Sequence, residues 1–360
     1  MEGITDKIPE YMGWTECIGQ LEERGQVRKE EADLLREILS ADEIKKFLNG
    51  PFEKEQREML FEQMEAFHEI FIGWDEEASR KVVPETYELI DKYGVNVEKH
   101  RINKYEQSKV YLILYMMFQN KYQEFKSELD EKIRITKYGK IRTQLQSYCN
   151  ADPIEDLVVS NVSKGTLYKK KPKDLKGKEE YNYDKEGRLL TFIWYHDQRE
   201  SPYSEEFFLD LGVYFIRIRY SLSLGLVHGY IDRIVIQKYK GELILDSRWA
   251  LLQEGGIPME LHKRSLEYAD GILSRCMAEE CYPPEIKMVF REEYLFQRDD
   301  EGLLYGYKIR EWIGDGLKPD LCAMHFGVPT VDKVLEIPEK KKRDTGREAG
   351  RWRKPVCPDI

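Results

Sequence analysis

The sequence lacks the short motifs that mark common enzyme and cofactor sites. It has no G-x-S-x-G elbow, no G-x-G-x-x-G fingerprint, no P-loop and no Cys-x-x-Cys pair among its six cysteines. Four residues, His262, Cys276, Cys281 and His325, could supply zinc ligands only if folding gathered them from uneven spacings. We therefore expect no metal and no cofactor, and we expect the cysteines to remain thiols.

Long apolar segments are also missing. The longest, Val110–Phe118, has nine residues, which is too short to span a bilayer. The segment Met1–Trp14 carries charged side chains and no continuous apolar stretch, unlike a conventional signal peptide. From these absences we expect a cytoplasmic protein that does not enter a membrane.

Charge is plentiful, but it is not balanced. The 360-residue chain has a net charge of -10, which disfavours general affinity for nucleic acid or anionic membranes. Residues 338–360 differ from the rest, because they contain eight lysines or arginines against four acids. The sequence thus predicts an acidic body followed by a basic tail, and the tail has the composition of a disordered segment.

Hydrophobic spacing predicts two domains before that tail. Residues 1–145 favour helices, the strongest of them over 103–132, where apolar residues recur at spacings of three or four. Residues 146–337 favour strands, because apolar and polar residues alternate in several segments. A further helix is predicted over Pro258–Met277. The predicted fold class is α+β: a helical domain, then a mainly antiparallel β domain whose sheet is covered by that helix.

One segment, Tyr181–Leu189, combines turn chemistry with alternation. Asp184 and Gly187 occupy the first and fourth positions of a turn, and the flanking residues alternate, which predicts a hairpin with one packed face. Its letters, Y-N-Y-D-K-E-G-R-L, resemble the YD repeat of Rhs-type bacterial and teneurin-like proteins. A degenerate second copy lies at Tyr294–Leu304. The resemblance implies a link to bacterial polymorphic-toxin systems, in which immunity proteins bind and block cognate toxins.

The preferred interpretation is an intracellular protein-binding module, of the immunity type, that neutralises a basic toxin or grips another basic partner. An acidic surface favours such a partner because complementary potentials speed encounter and suppress wrong pairings. We expect the contacts to be made by exposed carboxylates. The six carboxylates chosen are Glu205, Glu206, Asp210, Asp299, Asp300 and Glu301.

Two alternatives stay open. The first is a hydrolase or transferase in which His196 or His228 acts as a general base beside a carboxylate such as Glu205. The second is a nucleic-acid-associated factor that uses the basic tail and the six lysines of Lys169–Lys178. The preferred interpretation assigns no catalytic residue.

Overall fold

The computed structural model describes residues 13–48, 54–73, 75–140, 166–222, 229–241, 243–281, 290–298, 304–317 and 335–336. Within these ranges, helices precede a single antiparallel sheet, which confirms the α+β class. The helices are α1 (Trp14–Glu23), α2 (Lys29–Ser40), α3 (Asp42–Lys45), α4 (Lys54–Ile72), α5 (Glu76–Val82), α6 (Pro84–Tyr93), α7 (Val97–Phe118) and α8 (Tyr122–Asp130). None of these described helices is both long and apolar enough to cross a membrane.

The sheet is a long meander. Its strands are β1 (Ile135–Lys140), β2 (Thr166–Tyr168), β3 (Lys178–Tyr183), β4 (Leu189–Tyr195), β5 (Pro202–Asp210), β6 (Tyr214–Ser221), β7 (Tyr230–Lys240), β8 (Leu243–Leu252), β9 (Pro258–Ala269), β10 (Ile272–Cys281), β11 (Phe290–Arg298), β12 (Leu304–Ile313), β13 (Gly316–Leu317) and β14 (Leu335–Glu336). From β3 to β12, each strand pairs with the next one along the chain. At one edge β1 lies between β3 and β2, and at the other β13 and β14 both pair with β12.

Helix α7 is the central helix of the helical layer. All nine residues of Val110–Phe118 are buried, as expected for a helix that is contacted from several sides. The single helix predicted over 103–132 is nevertheless two helices. Polar residues 119–121 separate α7 from α8, where Phe125 and Leu129 continue the apolar spacing. The prediction therefore had the correct type of structure but missed the break.

Period-two alternation gives the sheet two packed faces. In β6, Ile216 and Ile218 are fully buried in a core that they share with the helices. Phe215 points the opposite way and joins a second, largely aromatic cluster. Each fully buried side chain of this size contributes about 1.5–3 kcal/mol. Helices and sheet thus share a core, and β1, which precedes the expected domain boundary at residue 145, belongs to the sheet.

The helix predicted over Pro258–Met277 is wrong, because this segment forms the hairpin of β9 and β10. Asp270 and Gly271 make its two-residue turn, with φ angles of 51° and 74°. An Asp-Gly pair between alternating segments is a strong hairpin signal, since both turn positions need positive φ. The helices that cover one face of the sheet are instead the N-terminal ones.

The hairpin predicted at Tyr181–Leu189 is present as β3 and β4. Asp184 Oδ1 accepts hydrogen bonds from the backbone N–H groups of Glu186 and Arg188, at 2.9 and 2.8 Å. Gly187 has a φ of 77°, so the turn uses the left-handed conformation that glycine tolerates. For the second copy, β11 and β12 pair as expected, while residues 299–303 lie outside the described part of the chain.

Candidate partner-binding site

Two of the six acids expected at the surface are buried. Glu205 is 1% exposed and Glu206 is 0% exposed, so the expectation that they are exposed is wrong. The two residues are adjacent in β5 and therefore project from opposite faces of the sheet. Both faces are packed at this strand, because Phe207 joins the core shared with the helices and Phe208 joins the aromatic cluster.

Glu205 points toward the helices. It accepts a hydrogen bond of 2.7 Å from the Tyr122 hydroxyl and one of 3.1 Å from Lys126 Nζ, both on α8. Burial raises the pKa of Glu205, and the charge of Lys126 opposes that rise. His196 lies in the β4–β5 turn, where its Nδ1 accepts from the backbone N–H of Gln198 at 3.0 Å. The structure thus places this histidine in a turn and Glu205 against α8.

Glu206 points to the other face, where two arginines hold it. Arg217 Nη2 donates to it at 2.8 Å and Arg233 Nη2 at 3.0 Å. Burial on its own raises the pKa of Glu206, but the charges of Arg217 and Arg233 outweigh burial and lower the pKa to about 2. This carboxylate is an ionised part of the core and is closed to a partner.

Of the other acids predicted to contact a partner, only Asp210 lies in the described part of the chain. Asp210 is half-buried at the end of β5, and its Oδ1 accepts from the backbone N–H of Gly212 at 3.0 Å. His228, Asp299, Asp300, Glu301, His325 and the tail 338–360 lie outside the described residues. Cys276 and Cys281 are buried in different cores, on opposite faces of the sheet, so the structure does not bring this pair together.

Glu179 is a buried carboxylate whose titration reports on folding. Burial raises the pKa of Glu179 to about 7, and the hydrogen bond of 2.7 Å from the Tyr181 hydroxyl only opposes that rise. Because the folded-state pKa lies above the ordinary value of 4.5, the folded chain binds this proton more tightly than the unfolded chain. The stabilisation is present below the ordinary pKa and is lost as the pH rises through the folded-state value.

We therefore expect Glu179→Gln to be more stable than the wild type at pH 8, by on the order of 2–3 kcal/mol. The two proteins should have nearly equal free energies of unfolding at low pH, where Glu179 is protonated in both states. Urea denaturation at a series of pH values from roughly 4 to 8 measures this difference. A wild-type advantage that grows with pH would contradict the assignment.

A cleft between α2 and the sheet, which we call the α2 cleft, brings charged residues together. Its volume is about 230 Å³. The α2 side supplies Glu30, Asp33 and Glu37, which are exposed and lie on one helix face because their spacings are three and four. The opposite face of α2 is buried through residues such as Leu35 and Ile38. Amphipathic packing therefore fixes the direction of this acidic row.

The sheet supplies the opposite wall of the α2 cleft. Tyr214 on β6, Lys238 on β7 and Asp246 on β8 are successive cross-strand partners and share one face. Arg248 follows two residues after Asp246 and lies on the same face. Counting both walls, four carboxylates face two basic groups, so the lining has an acidic excess.

Four contacts organise these side chains, and one of them lies within α2, where Arg36 Nη1 donates to Asp33 Oδ1 at 3.0 Å. The Tyr214 hydroxyl donates to Glu37 Oε2 at 2.6 Å, which ties the sheet to α2. Arg248 Nε donates to Asp246 Oδ1 at 2.5 Å. Lys238 Nζ lies 5.4 Å from the centre of the Tyr214 ring, within the range of a cation–π interaction.

Charged groups on α2 shift the pKa values of groups on the sheet wall of the α2 cleft. Burial lowers the pKa of Arg248, but the charge of Asp246 and, to a smaller extent, that of Glu30 outweigh burial and raise the pKa. Burial also raises the pKa of Tyr214, and its bond to Glu37 adds to the rise, so this hydroxyl stays protonated. The tyrosine is a fixed hydrogen-bond donor to a helical carboxylate.

No protein-family model matches this chain, and no curated protein shows significant sequence similarity to it.

Proposed function

We propose that this chain is an intracellular protein-binding module that grips a basic partner protein at the α2 cleft. One observation carries the proposal: the acidic row Glu30, Asp33 and Glu37 faces Asp246 across a cavity. A cavity restricts the approach of a partner more than a flat acidic surface does. Carboxylates on both walls can therefore converge on one cation, which gives a specific contact in addition to general attraction.

The charge of the whole chain supports the same partner. A net charge of -10 attracts a basic protein from a distance, and this attraction raises the association rate at low ionic strength. Once the complex has formed, partly desolvated pairs in the cleft hold it more firmly than exposed pairs, which contribute about 0–1 kcal/mol each. Long-range attraction and local pairing thus favour a partner with clustered arginine or lysine.

The hairpin of β3 and β4 suggests one class of basic partner. Its sequence resembles the YD repeat of proteins from polymorphic-toxin systems, where immunity proteins block toxins by binding them. A cationic toxin would suit the acidic cleft, and occupation of the toxin's basic surface would neutralise it. We therefore propose an immunity-type role, in which the chain acts by binding and carries out no chemical step.

A matched pair of variants tests the proposal. Three carboxylates are neutralised on α2, in E30Q/D33N/E37Q, and three on α4, in E62Q/E65Q/E69Q. The α4 residues are exposed, have the same spacings of three and four, and do not line the cleft. Both variants lose three negative charges, so they differ only in the position of the lost charges.

The probe is a fluorescein-labelled peptide of alternating arginine and glycine, and its affinity is measured by fluorescence anisotropy. We expect the α2 variant to bind at least about tenfold more weakly, because three partly desolvated pairs are lost and each contributes more than the roughly 0.5 kcal/mol of an exposed pair. The α4 variant should stay within about twofold of the wild type, since distant exposed charges are screened. An equal loss in both variants would show diffuse attraction and would overturn the proposal.

A further inference from the structure

We infer that the α2 cleft takes up one arginine side chain of the partner, so the group it recognises is a guanidinium on an aliphatic stem. The inference rests on the proposed function and names the chemical group that the cleft selects. The volume of about 230 Å³ suits a single long side chain. It is below the 300–1,000 Å³ typical of pockets for small-molecule ligands.

The floor of the cleft suits the stem. Leu34 from α2 and Ile236 from β7 both line the cavity, with exposures of 9% and 2%. Arginine places its methylene groups along apolar surface while its charged end stays near polar groups. An arginine that enters from the acidic rim would therefore lay its stem on Leu34 and Ile236.

The Tyr214 ring suits the charged end. Tyr214 is 7% exposed, and Lys238 Nζ lies 5.4 Å from its ring centre, so this face of the ring already holds a cation. Lys238 is exposed, and its flexible ammonium can move into solvent when another cation arrives. A guanidinium is planar and more weakly hydrated than an ammonium, so it stacks on an aromatic ring with a smaller loss of hydration.

Carboxylates at the rim complete the site. The Tyr214 hydroxyl bonds one oxygen of Glu37, and Arg248 bonds one oxygen of Asp246, so both carboxylates are oriented before a ligand arrives. Each carboxylate also has a second oxygen that can accept hydrogen bonds. A guanidinium offers five N–H groups in a planar fork, which can reach acceptors on two walls, whereas an ammonium concentrates three donors at one point.

The test compares three acetylated and amidated pentapeptides, Gly-Gly-X-Gly-Gly, in which X is arginine, lysine or citrulline. Citrulline keeps the shape of arginine but has no charge. Titrations of the full chain are followed by ¹H–¹⁵N NMR. We expect the arginine peptide to bind about tenfold more tightly than the citrulline peptide and about threefold more tightly than the lysine peptide.

Two variants locate the effect. Tyr214→Phe keeps the ring but removes the hydroxyl that orients Glu37, so the preference for arginine over lysine should fall toward onefold. E37Q keeps the shape of the side chain and an acceptor for the Tyr214 hydroxyl. It should lower the affinity for the arginine peptide about fivefold or more. Neither change should lower the binding of the citrulline peptide to the same degree.

The outcomes separate this inference from the proposed function. Equal binding of the three pentapeptides would overturn the arginine site, and so would an arginine preference that is unchanged in Tyr214→Phe and E37Q. If E30Q/D33N/E37Q still bound the arginine–glycine peptide more weakly than E62Q/E65Q/E69Q did, the proposed function would stand without the arginine site. If the α2 and α4 triple variants lost affinity for that peptide equally, the proposed function would fail as well.

Discussion

Replacement of Glu206 by alanine is expected to lower the free energy of unfolding by about 3–5 kcal/mol. Glu206 is fully buried and lies between Arg217 and Arg233, whose Nη2 groups are 2.8 and 3.0 Å from its oxygens. Arg217 is itself only 1% exposed. Removal of the carboxylate takes away the counter-charge that both arginines share, and the cost of the positive charge left in the core exceeds the loss of the hydrogen bonds alone.

Urea denaturation at neutral pH, followed by tryptophan fluorescence, measures this change. Glu206→Gln is the matched variant, because it keeps the shape and one acceptor but removes the charge, and we expect an intermediate loss. The double variant Glu206→Leu, Arg217→Met should recover part of the stability that Glu206→Ala loses, since it also removes one of the two buried positive charges. A loss below about 1 kcal/mol in Glu206→Ala would contradict the account of the buried ion pairs.

Charge reversal in the α2 cleft should have the largest effect on binding. In E30K/D33K/E37K, three carboxylates that attract a basic partner become cations that repel it. Each reversal removes an attraction and adds a repulsion, and the two effects add. We therefore expect at least a 100-fold loss of affinity for the arginine–glycine peptide. Part of the loss should appear as slower association at low salt, because rim charges steer the encounter.

Stopped-flow fluorescence at about 20 mM and about 200 mM salt separates association from dissociation. The control is E62K/E65K/E69K on α4, which changes the net charge by the same amount. Because general attraction acts over the whole chain, this control should lose some association rate at low salt, yet keep its dissociation rate. Equal dissociation rates in the two variants would show that the cleft makes no specific contact.

Local patterns in the sequence predicted much of the fold. Apolar spacing indicated the helical layer, alternation indicated the meander, and the turn chemistry of Asp184 and Gly187 indicated a hairpin that the structure contains. The main error was the helix over Pro258–Met277, where apolar residues also fit a helical spacing. The Asp270–Gly271 turn outweighed that spacing, because two successive residues with positive φ end a helix and favour a tight hairpin.

Burial was harder to predict than secondary structure. Two adjacent glutamates such as Glu205 and Glu206 are usually exposed to solvent, yet both side chains are buried here. What buries them is remote in sequence: Tyr122 and Lys126 on one face, and Arg233 on the other. A charge that finds a partner across the fold can be buried, and alternation within one strand carries no information about that partner.

The α2 cleft could not have been predicted for a related reason. The spacing of Glu30, Asp33 and Glu37 is visible in the sequence, but exposed acids on a helix are common and usually only solvated. Their meaning depends on what faces them, and the opposite wall comes from strands that begin at Tyr214, far along the chain. Only the packing of α2 on the sheet turns an ordinary acidic helix face into one side of a cavity.

Hydrogen–deuterium exchange of the full chain, with and without a saturating amount of the arginine–glycine peptide, shows directly whether the peptide binds in the α2 cleft. We expect slower exchange in α2, over Lys29–Ser40, and in β8, over Leu243–Leu252, with no change in α4. Protection of α4 without protection of α2 and β8 would contradict this expectation, because the peptide would then be held by acidic surface alone and the α2 cleft would have no part in binding.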